Sequence, residues 1–306
     1  MPRTTRAADR PGAGDAVGVV GVGNMGLAMA LRLLERGWRV AVRDLDPARE
    51  DEARRAGARV AATPASAGSG DAALIVAVVD AAQCEAVLFA ADGVAAAPER
   101  VGCVVLCPTI APADVERFAV RLAGAGIDCI DAPMSGGPAR ARDGSMSLMV
   151  ACADAAFAAR RTLLEALSTK VFRIGDRPGD GARTKLVNNL LAAINLAGAA
   201  EAIALARHLG LDPQRTLEVI EQSSGQSWIG SDRMRRALAG DLAPRAHTTL
   251  LAKDSRLALA MAGAAGFDAG LGRVANALFE DACAAGLGGL DDASLLGLPR
   301  TRAPSS

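Results

Sequence analysis

A lysine and an asparagine on one predicted helix are the side chains of this 306-residue sequence best placed to move a proton. Lys185 and Asn189 are four residues apart, so a helix places both on one face. The stretch after Lys185 is apolar almost all round, and polar groups in such a helix need a partner. Partial burial would lower the pKa of the Lys185 amine and make it a base near neutral pH. The alternative is a solvated lysine in a first helical turn.

A serine followed by two glycines supplies the second group of candidates. Ser135, Gly136 and Gly137 lie just after the predicted strand Asp128–Asp131. The serine hydroxyl and the backbone amides that glycines leave accessible suit a small carboxylate. A plain turn is the alternative interpretation.

A glycine-rich turn near the N-terminus predicts a dinucleotide site. A short apolar strand leads into Gly21-x-Gly23-x-x-Gly26, and a helix follows. The first glycine makes the tight turn, the second lets the backbone approach a pyrophosphate, and the third allows close packing of helix against strand. The pyrophosphate would lie at the N-terminus of that helix. The predicted cofactor contacts here are Gly21, Val22, Gly23, Asn24, Met25 and Gly26.

The end of the second strand bears on the choice of cofactor. Asp44 lies twenty-one residues after Gly23, where a carboxylate accepts from a ribose hydroxyl and repels a 2′-phosphate. Arg43 precedes it and could instead accommodate that phosphate. Because side chains alternate along a strand, the two should point to opposite faces. We therefore expect NAD rather than NADP, with NADP as the alternative.

Composition limits the other classes of partner. The formal net charge is zero, which argues against nucleic acid or an anionic membrane. Six cysteines occur without a CxxC pair and there are only two histidines, so we expect reduced thiols and no metal site. The apolar segment 186–206 contains asparagines and a glutamate, which predicts a buried helix rather than a membrane span. Without an apolar signal core at the N-terminus, we expect a cytoplasmic protein.

The periodicity of the sequence divides the chain into two predicted domains. Residues 16–178 alternate short apolar strands with helices, which is typical of a doubly wound parallel sheet. Residues 179–306 are almost wholly helical, with helix starts near Asp180, Asp212-Pro213 and His247-Thr248. Residues 1–15 are interpreted as a disordered tail and the last fifteen as an extended one. The predicted strands are Ala16–Val20, Arg39–Arg43, Leu74–Val79, Cys103–Leu106, Asp128–Asp131, Ser147–Ala151 and Lys170–Arg173.

Six segments recur in this order in one family, and the chain resembles the β-hydroxyacid dehydrogenases over roughly residues 16–295. The family includes 3-hydroxyisobutyrate dehydrogenase, tartronate semialdehyde reductase and L-threonate dehydrogenase. The matching segments are Gly21–Gly26, Pro108–Pro112, Asp131–Gly137, Lys185–Asn189, Ser224–Trp228 and Lys253-Asp254.

The resemblance implies a Rossmann domain, an all-helical C-terminal domain and an active site in the cleft between them. It implies that Lys185 is the catalytic general acid/base and that Ser135, Gly136, Gly137 and Asn189 bind the substrate. Cofactor contacts are also implied at Val78, Val79, Thr109 and Lys253. A homo-oligomer, dimer or tetramer, is expected, as is a small hydroxy acid as substrate.

The implied reaction is oxidation of a three- or four-carbon hydroxy acid by hydride transfer to NAD, with Lys185 taking the hydroxyl proton. Two alternatives remain open: an NADPH-dependent reductase of glyoxylate or a semialdehyde, and a non-catalytic dinucleotide-binding scaffold. Imine reductases share the architecture but generally lack the lysine, so Lys185 counts against them. The chain departs from the family at Arg32, where asparagine is usual, and at Val79-Asp80, which replaces a proline-containing loop.

Overall fold

Contacts between residues divide the chain into two compact units, Met1–Lys185 and Leu186–Ser306. The structure is a computed structural model that describes residues 15–68, 70 and 73–298. The tail expected at residues 1–15 lies outside the described residues except for Asp15. The domain division at residue 178 stays a prediction.

The first unit is built on one nine-stranded sheet in the order β3-β2-β1-β4-β5-β6-β8-β7, with β9 paired to β8. Strands β1 to β6 run parallel in the order 3-2-1-4-5-6 of a doubly wound fold. The strands are β1 (Ala16–Val20), β2 (Arg39–Arg43), β3 (Arg59–Val60), β4 (Ala73–Val76), β5 (Cys103–Leu106), β6 (Asp128–Asp131), β7 (Met134–Ser135), β8 (Ser147–Ala151) and β9 (Lys170–Gly175).

This architecture confirms the predicted Rossmann-type class, with one refinement. Strand β8 pairs antiparallel with β6 and β7, so β8 and its parallel partner β9 run opposite to strands β1 to β6. An antiparallel edge on a largely parallel sheet is common. The two-residue strands β3 and β7 were not predicted, because such short segments carry too few residues for a periodicity.

Helices cover both faces of the sheet. They are α1 (Asn24–Glu35), α2 (Pro47–Arg55), α3 (Pro64–Gly68), α4 (Ala81–Phe89), α5 (Pro112–Gly124), α6 (Gly137–Asp143) and α7 (Asp154–Leu167), with a 3₁₀ turn at Val94–Ala96. Within β5, Cys103 and Val105 belong to one core, whereas Val104 and Leu106 belong to the other. Burial on both faces explains why the strands are almost continuously apolar.

Local capping sets the helix starts. Asp46 accepts a hydrogen bond from the amide of Ala48 at 2.9 Å, and Pro47 occupies the first turn of α2. Asp212 accepts from the amide of Gln214 in the same way at the start of the helix Pro213–Glu221. A proline in the first turn loses no helical hydrogen bond, since that amide has no partner inside the helix. An aspartate followed by a proline therefore allows a helix start to be predicted from the sequence.

Helix α8 (Asp180–His208) crosses the boundary between the units, and helices make up the second unit. They are α9 (Pro213–Glu221), α10 (Trp228–Leu238), α11 (Thr248–Ala264) and α12 (Gly270–Ala282), followed by a π-helical turn at Cys283–Leu287 and a 3₁₀ helix at Asp292–Gly297. Their core contains Leu196, Ile203, Met234, Leu251 and Phe279.

The helix predicted at residues 186–206 is present, but it is buried along one face only. By length and composition alone α8 could cross a membrane. One face of α8 packs into the core of the second unit, but Val187, Leu191 and Leu205 are 61%, 58% and 56% exposed. Val187 and Leu205 are eighteen residues apart, which is five helical turns, so they share one face. The sequence could not distinguish the two faces, because both are apolar.

The expected extended tail is wrong for the residues that the structure describes up to 298. Asp292–Gly297 forms a 3₁₀ helix whose Asp292 and Leu295 are buried. The Asp291 carboxylate accepts from Arg236 Nη1 at 3.0 Å and from the amide of Arg245 at 2.8 Å. Burial opposes ionisation of Asp291, but these donors outweigh it and lower the pKa of this carboxyl to about 2. The paired carboxylate anchors the segment.

Candidate active site

The turn after β1 has a geometry that only glycines permit. Gly21 has a φ of 87°, a left-handed conformation that side chains disfavour. A Cβ added to Gly26 would lie 1.8 Å from the carbonyl oxygen of Gly21, far closer than van der Waals contact allows. Helix α1 therefore begins in close contact with the strand end.

The N-terminus of α1 fits an anionic group. Gly23 is the N-cap residue and brings no side chain to cap the helix, and the first turn holds no acidic residue. A Cβ added to Gly23 would meet no described atom within 4 Å, so the backbone is open to close approach. Helix N-termini of this kind attract phosphate through their amides and dipole. Together these features fit the pyrophosphate of a dinucleotide.

The carboxylate of Asp44 lies against this turn. Its Oδ2 accepts from the amide of Val22 at 2.6 Å, and its Oδ1 accepts from the amide of Asp46 at 2.9 Å. Each carboxylate oxygen can accept a further hydrogen bond, so Asp44 retains capacity for a ribose hydroxyl. Arg43 forms an ion pair with Glu50, since its Nη1 lies 2.7 Å from Oε1 of that residue.

The remaining cofactor candidates of the first unit follow neighbouring strands. Strands β1, β4, β5 and β6 are adjacent and parallel, so their carboxyl ends lie at one edge of the sheet. Four residues lie at or after these ends: Gly21, Val78, Thr109 and Asp131. A Cβ on Gly21 would lie 3.0 Å from Cγ1 of Val78, so these two positions are in contact range. Val79 is half-exposed, and its amide donates to Oε1 of Gln83 at 2.9 Å. Ligands of doubly wound sheets bind at this edge.

The Ser135–Gly137 segment joins a short strand to a short helix. Met134–Ser135 pairs with β8, and α6 begins at Gly137. Gly136 and Gly137 have φ values of 131° and 75°, which other residues rarely adopt. All three candidates are half-buried, so their polar groups remain partly accessible.

A buried carboxylate connects this segment with the helix of Lys185. Asp131, which ends β6 four residues before Ser135, is 1% exposed. Its Oδ2 accepts from the amides of Gly179 at 2.8 Å and Ala182 at 3.0 Å. These amides belong to the first turn of α8 and the residue before it, where helical amides lack internal partners. Asp131 thereby fixes the start of α8 three residues before Lys185, whose side chain is 7% exposed.

The titration of Asp131 reflects two opposing effects. Burial raises the pKa of this carboxyl, and hydrogen bonds from the amides of Ala182, Gly179 and Gly181 lower it. Burial prevails, and the pKa is raised to about 6. The group therefore changes charge in the mildly acidic range.

In the second unit, Asn189 and Lys253 meet at one carboxylate. Oδ2 of Asp254 accepts from Nδ2 of Asn189 at 2.7 Å, and its Oδ1 lies 3.2 Å from Nζ of Lys253. Asp254 is buried in α11, and Asn189 lies on α8 one turn after Lys185. The carboxylate orients the Asn189 amide through a hydrogen bond and forms an ion pair with the Lys253 ammonium.

The predicted residues are thus divided between the two units. The first unit contains the glycine turn with Asp44 and Val78, and the Ser135–Gly137 segment joined through Asp131 to the helix of Lys185. The second contains Asn189 with Lys253. No role was predicted for Glu50, Asp131 or Asp254. Their positions could have indicated a role, since an acidic residue at the end of a buried strand or inside an apolar helix needs a partner.

Metal ligands are a separate question. Among residues 15–68, 70 and 73–298, no group of three or more histidine, cysteine or acidic side chains is arranged to hold a metal ion. All six cysteines lie in these ranges as free thiols.

Comparison with known proteins identifies both halves of the chain. Residues 16–175 match the model of the NAD binding domain of 6-phosphogluconate dehydrogenase. Residues 179–298 match the model described as NAD-binding of NADP-dependent 3-hydroxyisobutyrate dehydrogenase. A Rossmann sheet with its glycine turn, followed by this helical unit, defines an NAD(P)-dependent oxidoreductase.

Individual relatives give the family. The chain is 38% identical to L-threonate dehydrogenase of Cupriavidus necator over 92% of its own length and 94% of the relative. It is 36% identical to 3-hydroxyisobutyrate dehydrogenase of Pseudomonas aeruginosa over 86% of its length and 91% of that protein. The crystal structure of 3-hydroxyisobutyrate dehydrogenase from Salmonella typhimurium superposes with a TM-score of 0.87 at 34% identity, covering 93% of this chain and all of that one. The chain belongs to the β-hydroxyacid dehydrogenase family and is an NAD(P)-dependent dehydrogenase of hydroxy acids.

Proposed function

We propose that this protein oxidises a hydroxy acid of three or four carbons with NAD, using Lys185 as general acid/base. The observation that carries the proposal is the pair of hydrogen bonds by which Asp131, four residues before Ser135, holds the start of α8. The strand that leads into the proposed carboxylate-binding segment is therefore tied at its end to the start of the helix that bears the amine.

The proposed chemistry assigns one task to each group. The dinucleotide, when bound, accepts the hydride from the carbinol carbon. Ser135 and the amides of Gly136 and Gly137 bind the substrate carboxylate, which orients that carbon. Lys185 takes the hydroxyl proton during oxidation and returns it during reduction. Asn189, held by Asp254, orients the substrate, and Lys253 and Thr109 contact the cofactor, as the resemblance implies.

Support for the substrate size and cofactor comes from two sources. The relatives named above act, by their names, on L-threonate and 3-hydroxyisobutyrate, both small hydroxy acids. Asp44 lies on the glycine turn, where a carboxylate disfavours a 2′-phosphate. An NADPH-dependent reductase is the second candidate, favoured by the NADP-dependent enzyme in the description of the C-terminal family model.

The decisive experiment compares the lysines. The sequence contains only three, at 170, 185 and 253. We expect Lys185→Ala to lower kcat by about 10²–10⁴-fold, the usual contribution of a general acid/base, while the Kd for NAD changes little. Lys170→Ala, at an exposed position of β9, is the matched control and should retain full activity. Unchanged turnover in Lys185→Ala would contradict the assignment.

A substrate screen tests the rest of the proposal. NAD reduction is followed with 3-hydroxyisobutyrate, glycerate, tartronate, threonate and 3-hydroxypropionate, and the preferred acid is then compared with NAD and NADP. Activity with one of these acids and preference for NAD are expected. Flat activity across the set would favour the reductase or the non-catalytic scaffold instead.

We also propose a homo-oligomer. The exposed apolar side chains of Val187, Leu191 and Leu205 lie on one face of α8 and would be covered by a second copy of the chain. Light scattering coupled to gel filtration should give a mass of at least two chains, and a monomer at micromolar concentration would contradict this.

A further inference from the structure

An ion pair lies directly beside the carboxylate proposed to hold the ribose. Nη1 of Arg43 is 2.7 Å from Oε1 of Glu50, and the same guanidinium nitrogen also donates to the carbonyl oxygen of Asp44. The same Oε1 accepts from the amide of Asp44 at 3.0 Å. The Glu50 carboxylate is thus hydrogen-bonded to the backbone of Asp44, the residue whose own carboxylate is proposed to hold the ribose.

This arrangement engages the cation that could otherwise bind a phosphate. The side chains of Arg43 and Glu50 are 28% and 11% exposed, so water screens the pair only in part. To reach a 2′-phosphate, Arg43 would have to leave both Glu50 and the Asp44 carbonyl. Glu50 would then remain as an unpaired carboxylate beside Asp44.

The other charges on this connection do not compensate. Arg49 lies 3.4 Å from Oδ1 of Asn24 and 3.7 Å from the carboxylate of Glu52. Asp46 caps α2, and Asp51 pairs with Arg54 on the exposed side of that helix. A phosphate dianion near Asp44 would face two carboxylates, with the nearest guanidinium already neutralised.

We propose that Glu50 is a specificity-determining residue that favours NAD over NADP, by sequestering Arg43 and placing a second carboxylate beside Asp44. The inference rests on the proposed role of Asp44 at the ribose and extends it to a side chain outside the glycine turn. A merely structural role of Glu50 would change stability and the two affinities together, whereas a specificity role changes their ratio.

The test measures binding, without turnover. Isothermal titration gives the Kd of NAD and of NADP for the wild type, Glu50→Gln, Arg43→Met and the double variant. Glutamine preserves the acceptor for the Asp44 amide and removes the charge. We expect Glu50→Gln to shift the ratio of the two Kd values about tenfold toward NADP, the size of one screened interaction between charges.

The other variants separate the two parts of the mechanism. Arg43→Met alone leaves the Glu50 carboxylate without its cation, so the Kd for NADP should rise relative to the wild type; a lower Kd for NADP in this variant would overturn the inference. The double variant should lose most of the gain seen in Glu50→Gln, and a retained gain would overturn the role of Arg43. Asp51→Asn removes a charge from the exposed side of α2 and should leave the ratio unchanged.

Failure of the inference is distinguishable from failure of the proposed function. A wild type that prefers NADP would overturn the proposed cofactor, but the shift caused by Glu50→Gln would still be measurable. A wild type that prefers NAD with an unchanged ratio in Glu50→Gln would overturn the role of Glu50 alone.

Discussion

Replacing Asp131 should destabilise the first unit in a pH-dependent manner. In Asp131→Ala the amides of Gly179 and Ala182 lose their acceptor in a site where the carboxylate is 1% exposed. A buried donor left without a partner costs about 1–3 kcal/mol, so the two amides together cost about 2–6 kcal/mol. Since domains are stable by about 5–15 kcal/mol, the variant should still fold.

The sign of the pH dependence follows from the raised pKa. The folded protein binds a proton at Asp131 near pH 6, whereas the unfolded chain does so near pH 3.8. Protonation therefore favours the folded state, and the unfolding free energy of the wild type rises as the pH falls through 6. Between pH 7.5 and pH 5 this gain is about 1 kcal/mol, and Asp131→Ala lacks it. The stability gap between the two proteins should widen on acidification.

The two tryptophans allow this unit to be observed separately. Trp38 is buried in the first unit and Trp228 lies in the second, so Trp228→Phe leaves Trp38 as the reporter. Urea unfolding of wild type, Asp131→Ala and Asp131→Asn in that background gives the free energies at both pH values. Asparagine retains an acceptor without a titrating charge, so it should be less destabilised than alanine. A gap between wild type and alanine that stays constant or narrows at pH 5 would refute the reasoning.

Three further substitutions test the glycine turn and the Asp254 carboxylate. Gly23→Ala should fold with an unchanged Tm, because its Cβ meets no described atom, but it should bind NAD at least tenfold more weakly, because that Cβ lies where the pyrophosphate is proposed. Gly26→Ala should lower both the Tm and the affinity for NAD, because its Cβ would overlap the Gly21 carbonyl. Equal Tm values for the two variants in a thermal melt would contradict this difference. Asp254→Ala removes the partner of Asn189 and Lys253 and should lower kcat/KM by about 10- to 100-fold, the contribution of a charged hydrogen bond. An unchanged steady-state kcat/KM would exclude a positioning role for Asp254.

Much of the fold could be predicted because its signals are local. Strands β1, β2, β5, β6 and β8 coincide with the predicted segments. Pro213 marks a first helical turn as predicted, Pro47 and Pro112 occupy first turns in the same way, and the steric demands of the glycine turn are met within six residues. Strand ends were less well predicted, since β4 ends at Val76 and β9 continues to Gly175.

The sequence by itself determined the doubly wound sheet, the helical second half, the dinucleotide turn and the candidates Lys185, Ser135 and Asp44. These depend on periodicity and on conformations that only certain residue types adopt. Tertiary structure alone decided which partners the charged groups take. Asp131 meets amides about fifty residues further along the chain, and Asp254 meets Asn189 across 65 residues. Arg43 pairs with Glu50, and the alternation of side chains along a strand could not predict this partner. A long flexible cation binds whichever carboxylate the fold brings near it.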